Sequence, residues 1–182
     1  LSYYSLILEE HTRLYDNYEP LDEETEGKWS DYIVETLSQA GFHRYEVSNY
    51  ALGNHESEHN KVYWHYDNYY GVGIGATGKI DDELISHSRS LTDYFQGKNT
   101  IYIEKETIED TMFNHLMMSL RLKEGLDLDE FKRRYHCSVE DVYKEALTKN
   151  LGNHSLIIEN NHLKTNDTLD LLNSILLDFL PE

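Results

Sequence analysis

Residues 45–76 concentrate the side chains able to do chemistry. His59-Asn60-Lys61-Val62-Tyr63-Trp64 sets an imidazole and an ammonium beside two large aromatic rings. Neutral imidazole is a good axial ligand for heme iron. Tyr63 and Trp64 offer faces for a flat macrocycle, and Lys61 could meet a propionate. In the simplest structural use, His59 and Asn60 only cap backbone groups in a loop. His55, His59 and His65 fall within eleven residues, a density open to zinc or another divalent ion, with Glu56 and Glu58 as further donors. His55 and His59 would share a face only in a helix, and the polar residues after Gly53 show no helical period.

Two flanking strings are also candidates. Tyr45-Glu46-Val47-Ser48-Asn49 ends in short polar groups. Glu46 could act as a general acid or base, or fix a loop through backbone N–H groups. Gly73-Ile74-Gly75-Ala76-Thr77-Gly78 matches G-x-G-x-x-G, but a dinucleotide fingerprint needs a helix after it, and Lys79-Ile80-Asp81-Asp82-Glu83 starts none. The match is therefore rejected as a Rossmann signal. Cys137, beside His136, has no evident base partner and reads as a small core residue.

The elements that must position these residues follow from periodicity and caps. Residues 2–8 are rich in strand formers. Asp22 N-caps a helix with Trp29, Ile33, Leu37 and Ala40 at helical spacing, and Gly41 stands at the C′ position. Phe42–Val47 reads as the next strand, giving strand, helix, strand at a spacing that predicts parallel pairing. A long polar loop over 48–67 precedes a further strand, Tyr69–Ala76; a loop of that length is often functional. Residues 81–105 give no clear pattern, and Gln96-Gly97-Lys98-Asn99 is turn-like, so the domain boundary is placed near 97: residues 1–97, then 98–182. In the second part Thr107-x-x-Asp110 resembles a capping box opening a helix to about Leu122. Asp127 opens a helix to about Tyr135, and Ser138 one to about Lys149. Asn160-Asn161 signals a hairpin between Ser155–Glu159 and His162–Thr165. A last helix spans 166–179 with Leu169, Leu172, Leu176 and Leu180 on one stripe. Helices, a small hairpin and a helix suggest a winged-helix-like module.

Composition excludes several functions. The chain has 182 residues and a net charge of −18, which argues against nucleic acid and anionic membranes as partners. The densest basic run, Lys132-Arg133-Arg134, sits beside Glu130 and reads as a solvated helix face. A DNA-reading helix needs several cations, whereas Lys144 and Lys149 face Glu140, Asp141 and Glu145. No apolar run approaches the ~20 residues of a membrane span. A single cysteine forms no internal disulfide and points to a reducing, cytoplasmic setting. Of fifteen tyrosines, most precede residue 71. The chain starts at Leu1 and its first methionine is Met112, so it is expected to be a piece of a longer protein.

The ordered strings Y-E-V-S-N, H-N-x-x-Y-W and G-V-G-I-G-A, with Arg121-Leu122-Lys123-Glu124-Gly125-Leu126 further on, resemble the oxygen-independent coproporphyrinogen III oxidase-like family of radical SAM proteins. The H-N-x-x-Y-W string is most similar to its heme-chaperone branch. The resemblance is strongest over residues 40–80, and departs at His87-Ser88-Arg89-Ser90, where an Asn would precede Arg89. It implies an α/β fold: the last units of a partial (β/α)6 barrel, then a mostly helical winged-helix-like domain. It also implies heme contact from His59, Asn60, Tyr63 and Trp64 with His55 nearby, His59 on the iron. Gly73, Gly75, Ala76, Ser48 and Asn49 would border S-adenosylmethionine. The C-x3-C-x2-C motif of the [4Fe–4S] cluster is absent, so this chain alone is expected to cleave no S-adenosylmethionine. The expected function is to bind heme and pass it to a recipient protein. The alternative is oxidative decarboxylation of coproporphyrinogen propionates. A missing barrel half would leave an edge strand open, so self-association is expected.

Overall fold

The computed structural model describes residues 1–6, 8, 10, 12–15, 18–19, 21–98, 101–167 and 169–180. The chain divides into two compact units, residues 1–56 and 57–182. Position 97, where the sequence places a domain boundary, lies inside the second unit; that division stays a proposal.

In the first unit, helix α1 (Glu23–Gln39) starts where a carboxylate can reach the open amides. Asp22 accepts from the Thr25 amide at 2.9 Å, and three glutamates occupy the first turn beside the positive helix end. It ends before Gly41, whose φ of +84° lets the chain reverse. No residue of α1 is buried. Ile33 and Leu37 are half-buried and Trp29 is exposed. Strands β1 (Phe42–Arg44) and β2 (Tyr50–Leu52) pair antiparallel with Arg44 opposite Tyr50, and α1 packs on β1. The one bridge of segment 2–8, Ser2 with Asn49, is antiparallel rather than the expected parallel, and β1 departs from a strand running to Val47. The cause is Glu46: fully buried, it accepts from the Ser48 amide and the Asn49 side chain, both at 2.6 Å, and so folds the chain back. Of the strand expected over 2–8, only Ser2 forms a bridge, with Asn49; Ile7 lies outside the described residues.

The second unit opens with helix α2 (Glu58–Trp64), capped by Ser57, whose hydroxyl accepts from the Asn60 amide at 3.3 Å. Strands β3 (Thr77–Ile80), β4 (Glu83–His87) and β5 (Ile101–Lys105) form an antiparallel sheet in the order β3-β4-β5, with helix α3 (Leu91–Phe95) between the last two. The strand expected over 69–76 is replaced by a glycine-rich turn: Tyr69 bridges Lys79, and Gly73 and Gly75 take φ of +104° and +68°. Helix α4 (Ile108–Ser119) carries the expected capping box of Thr107 and Asp110. Strand β6 (Leu126–Asp127), helix α5 (Leu128–Tyr135), and helices α6 (Val139–Val142) and α7 (Lys144–Gly152) follow. The single helix expected from Ser138 is interrupted at Tyr143, which leaves helical geometry at φ −120°, ψ 36°. Strands β7 (Leu156–Glu159) and β8 (His162–Thr165) close the expected hairpin through Asn160 and Asn161 at φ 50° and 64°, as a type I′ turn needs. The sheet order is β6-β8-β7. The helix expected over 166–179 is instead one α turn, α8 (Leu172–Leu176), between two 3₁₀ turns, and Leu180 is 52% exposed rather than on the buried stripe. Leu116, Leu120, Leu122, Leu126, Phe131, Leu156, Leu163 and Phe179 are buried in this unit. Each such side chain contributes roughly 1.5–3 kcal/mol of transfer free energy, enough to anchor β6 and α4 together.

Candidate site on helix α2

The segment expected to be loop is a helix from Glu58 onward, because Ser57 supplies an N-cap and Glu58 a favourable first-turn charge. Helical spacing sorts the motif into rows. His59 and Tyr63 share one: the Tyr63 hydroxyl meets His59 Nε2 at 3.0 Å, and the rings stand edge to face at 4.9 Å. Tyr69 also meets Tyr63 edge to face, with ring centroids 4.6 Å apart. His59 is exposed, and Tyr63 and Tyr69 are half-buried. The result is an aromatic row with an imidazole at its open end.

Asn60 and Trp64 form the next row, both half-buried. One face of Trp64 lies under the Arg121 guanidinium at 4.4 Å, and its backbone carbonyl accepts from the Ser119 hydroxyl at 3.2 Å. Among the described residues, Trp64 Nε1 is buried without a hydrogen-bond partner. Trp64 therefore packs against the C-terminal segment and offers a ligand at most one face. His65, just past the helix, pairs with Glu124 at 3.2 Å. The hydrogen bond that His65 donates to Glu124 holds its pKa above the usual histidine range, against the opposing cost of burial. Arg121 and Glu124 belong to one turn, so the Arg121–Leu126 motif grips the motif helix at two adjacent residues. Gly125 permits that turn: its φ is +79°, and a Cβ there would lie 2.2 Å from the Leu163 carbonyl oxygen.

Lys61 and His65 make a third row. It lines a cavity of about 390 Å³ with His115, Glu124, Arg134 and His162, on a face distinct from His59 and Tyr63. His55 is exposed and lies in the first unit. So the structure brings His59 and Tyr63 together and sets Asn60 and Trp64 beside them, while His55 belongs to the first unit. Among the described residues no cluster of three or more His, Cys, Asp or Glu is arranged to hold a metal ion.

Ser48 and Asn49 are in the first unit, where Asn49 is buried and committed to Glu46 and Ser2. Glu46 serves the loop. Gly73 borders a narrow cleft with Ile74, His87 and Ser88, while Gly75 donates to the Ser88 carbonyl at 3.0 Å and Ala76 accepts from the His87 amide at 2.8 Å. The segment is thus tied to the end of β4, and β3 follows it, not a dinucleotide-binding helix. Cys137 is half-buried, its Sγ 3.8 Å from Met112 Sδ. One cysteine cannot supply the thiolates of a [4Fe–4S] cluster. The chain's own residues do not fit that group. Sequence reasoning singled out neither Tyr69 nor the Arg121–Trp64 and Glu124–His65 contacts; the second motif was visible, but its target was not.

Residues 107–168 match the family described as HemN C-terminal domain. The chain is 30% identical over 190 residues to the heme chaperone HemW of Lactococcus lactis subsp. lactis, covering 97% of this chain and 49% of that protein. It is 33% identical over 139 residues to the heme chaperone HemW of Synechocystis sp., covering 69% and 34%. The chain thus spans half or less of the length of these curated relatives. Its fold matches the Escherichia coli coproporphyrinogen III oxidase HemN, described as a radical SAM enzyme, with a TM-score of 0.66 at 14% identity, over 87% of this chain and 42% of that one. The chain belongs to the HemW-like family of coproporphyrinogen III oxidase-like proteins.

Proposed function

We propose that this chain is the heme-contacting portion of a heme chaperone, with His59 on the iron and the Tyr63–Tyr69 row along the macrocycle. The observation that carries the reading is the exposed His59 imidazole on a helix held by the family's second motif. Ligation through Nε2 exchanges its hydrogen bond to the Tyr63 hydroxyl for the metal bond. A single solvent-exposed histidine also suits a carrier, because a recipient's ligand can displace it without dismantling the helix. Asn60 and the open face of Trp64 flank the same site. Gly73, Gly75 and Ala76, with Ser48 and Asn49, stay as candidate neighbours of S-adenosylmethionine in the full-length protein, whose cluster ligands would come from other residues. The finer architecture we infer is the end of a partial (β/α)6 barrel followed by a winged-helix-like domain, in a cytoplasmic protein that passes heme to a recipient protein. For an oxidase the support is the likeness of fold to HemN and the match of residues 107–168 to the HemN C-terminal domain family.

The test is a hemin titration followed by visible absorption. A saturable Soret shift is expected, with affinity reduced at least about ten-fold in His59→Ala, roughly the 1.4 kcal/mol or more of one lost axial bond. A shift of equal affinity in the variant would remove His59 from the iron. Conversion of coproporphyrinogen III by the full-length protein would overturn the chaperone reading.

A further inference from the structure

Lys79 stands in the middle of β3, clamped by its own backbone: its amide donates to the Tyr69 carbonyl and its carbonyl accepts from the Tyr69 amide, both at 2.9 Å. The residue is 4% exposed. Its ammonium makes one long hydrogen bond, 3.3 Å to the Tyr66 carbonyl, and lies 4.0 Å from the Tyr66 ring centroid. No described carboxylate is within ion-pair distance of it; Glu106, Asp81 and Asp67 act only from farther off. A buried ammonium with one weak acceptor is costly unless an anion joins it. Burial accordingly holds the Lys79 pKa below the usual lysine range, and nearby Arg134 lowers it further.

Arg134 converges on the same atom. Its Nη1 donates to the Tyr66 carbonyl at 3.0 Å, while Nη2 is matched by Asp67 at 3.2 Å and Glu130 at 2.8 Å. Arg133 also reaches Glu130. Both arginines have direct carboxylate partners, whereas Lys79 has none in direct contact and feels Asp81 and Glu106 only from farther off. Both basic groups line a cavity of about 320 Å³ with Tyr66, Asn68, Thr111 and Tyr135. The Tyr135 hydroxyl donates to the Thr111 carbonyl at 3.1 Å and the Thr111 hydroxyl to the Thr107 carbonyl at 2.5 Å, so these donors are already committed. The Lys79 ammonium, with one long hydrogen bond, keeps donor capacity for a guest.

We propose that Lys79, supported by Arg134, is the anion-binding end of a site in this cavity for a carboxylate-bearing small molecule. One buried ammonium without a direct ion-pair partner matches one carboxylate. A phosphate dianion would add a second negative charge beside Asp67 and Asp81, which also border the cavity. The volume is many times the ~30 Å³ of a water, so the carboxylate would be one arm of a larger molecule. The site stands independently of the iron ligand on α2.

The test titrates the whole chain with sodium propionate, and with sodium phosphate and sodium chloride at matched ionic strength. It follows the melting temperature and the ¹³C ε-methylene resonance of Lys79. A saturable response to propionate is expected with Kd on the order of 1 mM, as one charge-assisted contact allows. The Lys79 pKa should rise on saturation, because an anion favours the charged form. Lys79→Met should keep its melting temperature and lose the propionate response, and Arg134→Gln should weaken it about ten-fold. No saturable response in the unmodified chain would overturn the proposal, as would an undiminished response in Lys79→Met. A stronger response to phosphate than to propionate would overturn the monocarboxylate assignment. Should Lys79→Met not fold, the Lys79 resonance of the unmodified chain decides alone.

Discussion

His115 shows how a single side chain can set a pH limit. It is 2% exposed and stacked between Tyr66 and Phe131, with ring centroids 6.0 and 5.9 Å away, and its Nδ1 has no hydrogen-bond partner among the described residues. Burial, reinforced by Arg134, pushes its pKa down to about 3, so it is neutral in the folded state. The unfolded chain binds this proton near pH 6.5 and the folded chain does not. Stability is therefore lost as pH falls from about 6.5 toward 3, at up to ~1.4 kcal/mol per pH unit. Urea unfolding at pH 7 and pH 5 should show a drop, on the order of 1–2 kcal/mol of which is absent in His115→Phe. An equal drop in the variant would mean that His115 is charged when folded. Nothing in the sequence marked this histidine, since an α4 position alternating with Leu and Met reveals burial but not the ring stack. His59 was legible because its neighbours form a recognisable string. Lys79 was not, because an isolated lysine in a strand is ordinarily solvated and only tertiary packing buries it.

At the scale of elements, the Arg121–Leu126 turn is the feature with most leverage. It places Arg121 on Trp64, Glu124 on His65 and Leu126 opposite Leu163 in the β6–β8 pair. The pair of His65 and Glu124 is about half exposed and is worth under ~1 kcal/mol; the backbone geometry matters more. Gly125→Ala would add a Cβ 2.2 Å from the Leu163 oxygen and 2.6 Å from Lys164 Cβ, at a φ that L-residues avoid. We predict a loss of about 2–4 kcal/mol in denaturant unfolding, with faster amide exchange at Leu126. A change below ~0.5 kcal/mol would show that the turn relaxes. The capping boxes of Thr107 and Ser138 and the Asn160-Asn161 hairpin were legible because they are local. The interruption at Tyr143 and the Glu46 reversal were not, since each depends on what the segment packs against.

For the whole molecule, charge and exposed apolar surface compete. Trp29 and Tyr32 on α1, Tyr70 and Val72 in the glycine-rich turn, and Ile101, Tyr102 and Ile103 on β5 are all exposed; Tyr70 and Val72 reach 84% and 89%. β5 ends its sheet, and an apolar edge strand is a template for pairing. The −18 charge opposes contact between copies until salt screens it. Self-association of this chain is therefore expected to grow as ionic strength rises from about 0.05 to 0.5 M, where the Debye length shortens to a few ångströms. A strictly monomeric species by sedimentation across that range would contradict it. Among the described residues no helix is long and apolar enough to cross a membrane.

The order of motifs in the chain was sufficient to reach the family and the candidate iron ligand, because both depend on residue identity at short spacing. Helix caps and the β7–β8 turn were equally readable, being satisfied within a few residues. Tertiary structure alone decided that the H-N-x-x-Y-W segment is helical and braced by a turn some sixty residues away. It also decided that Trp64 gives one face to Arg121, and that Lys79 is buried without an ion pair. These are long-range outcomes of burial and charge balance, and no local pattern encodes which distant group will arrive to satisfy, or fail to satisfy, a given side chain.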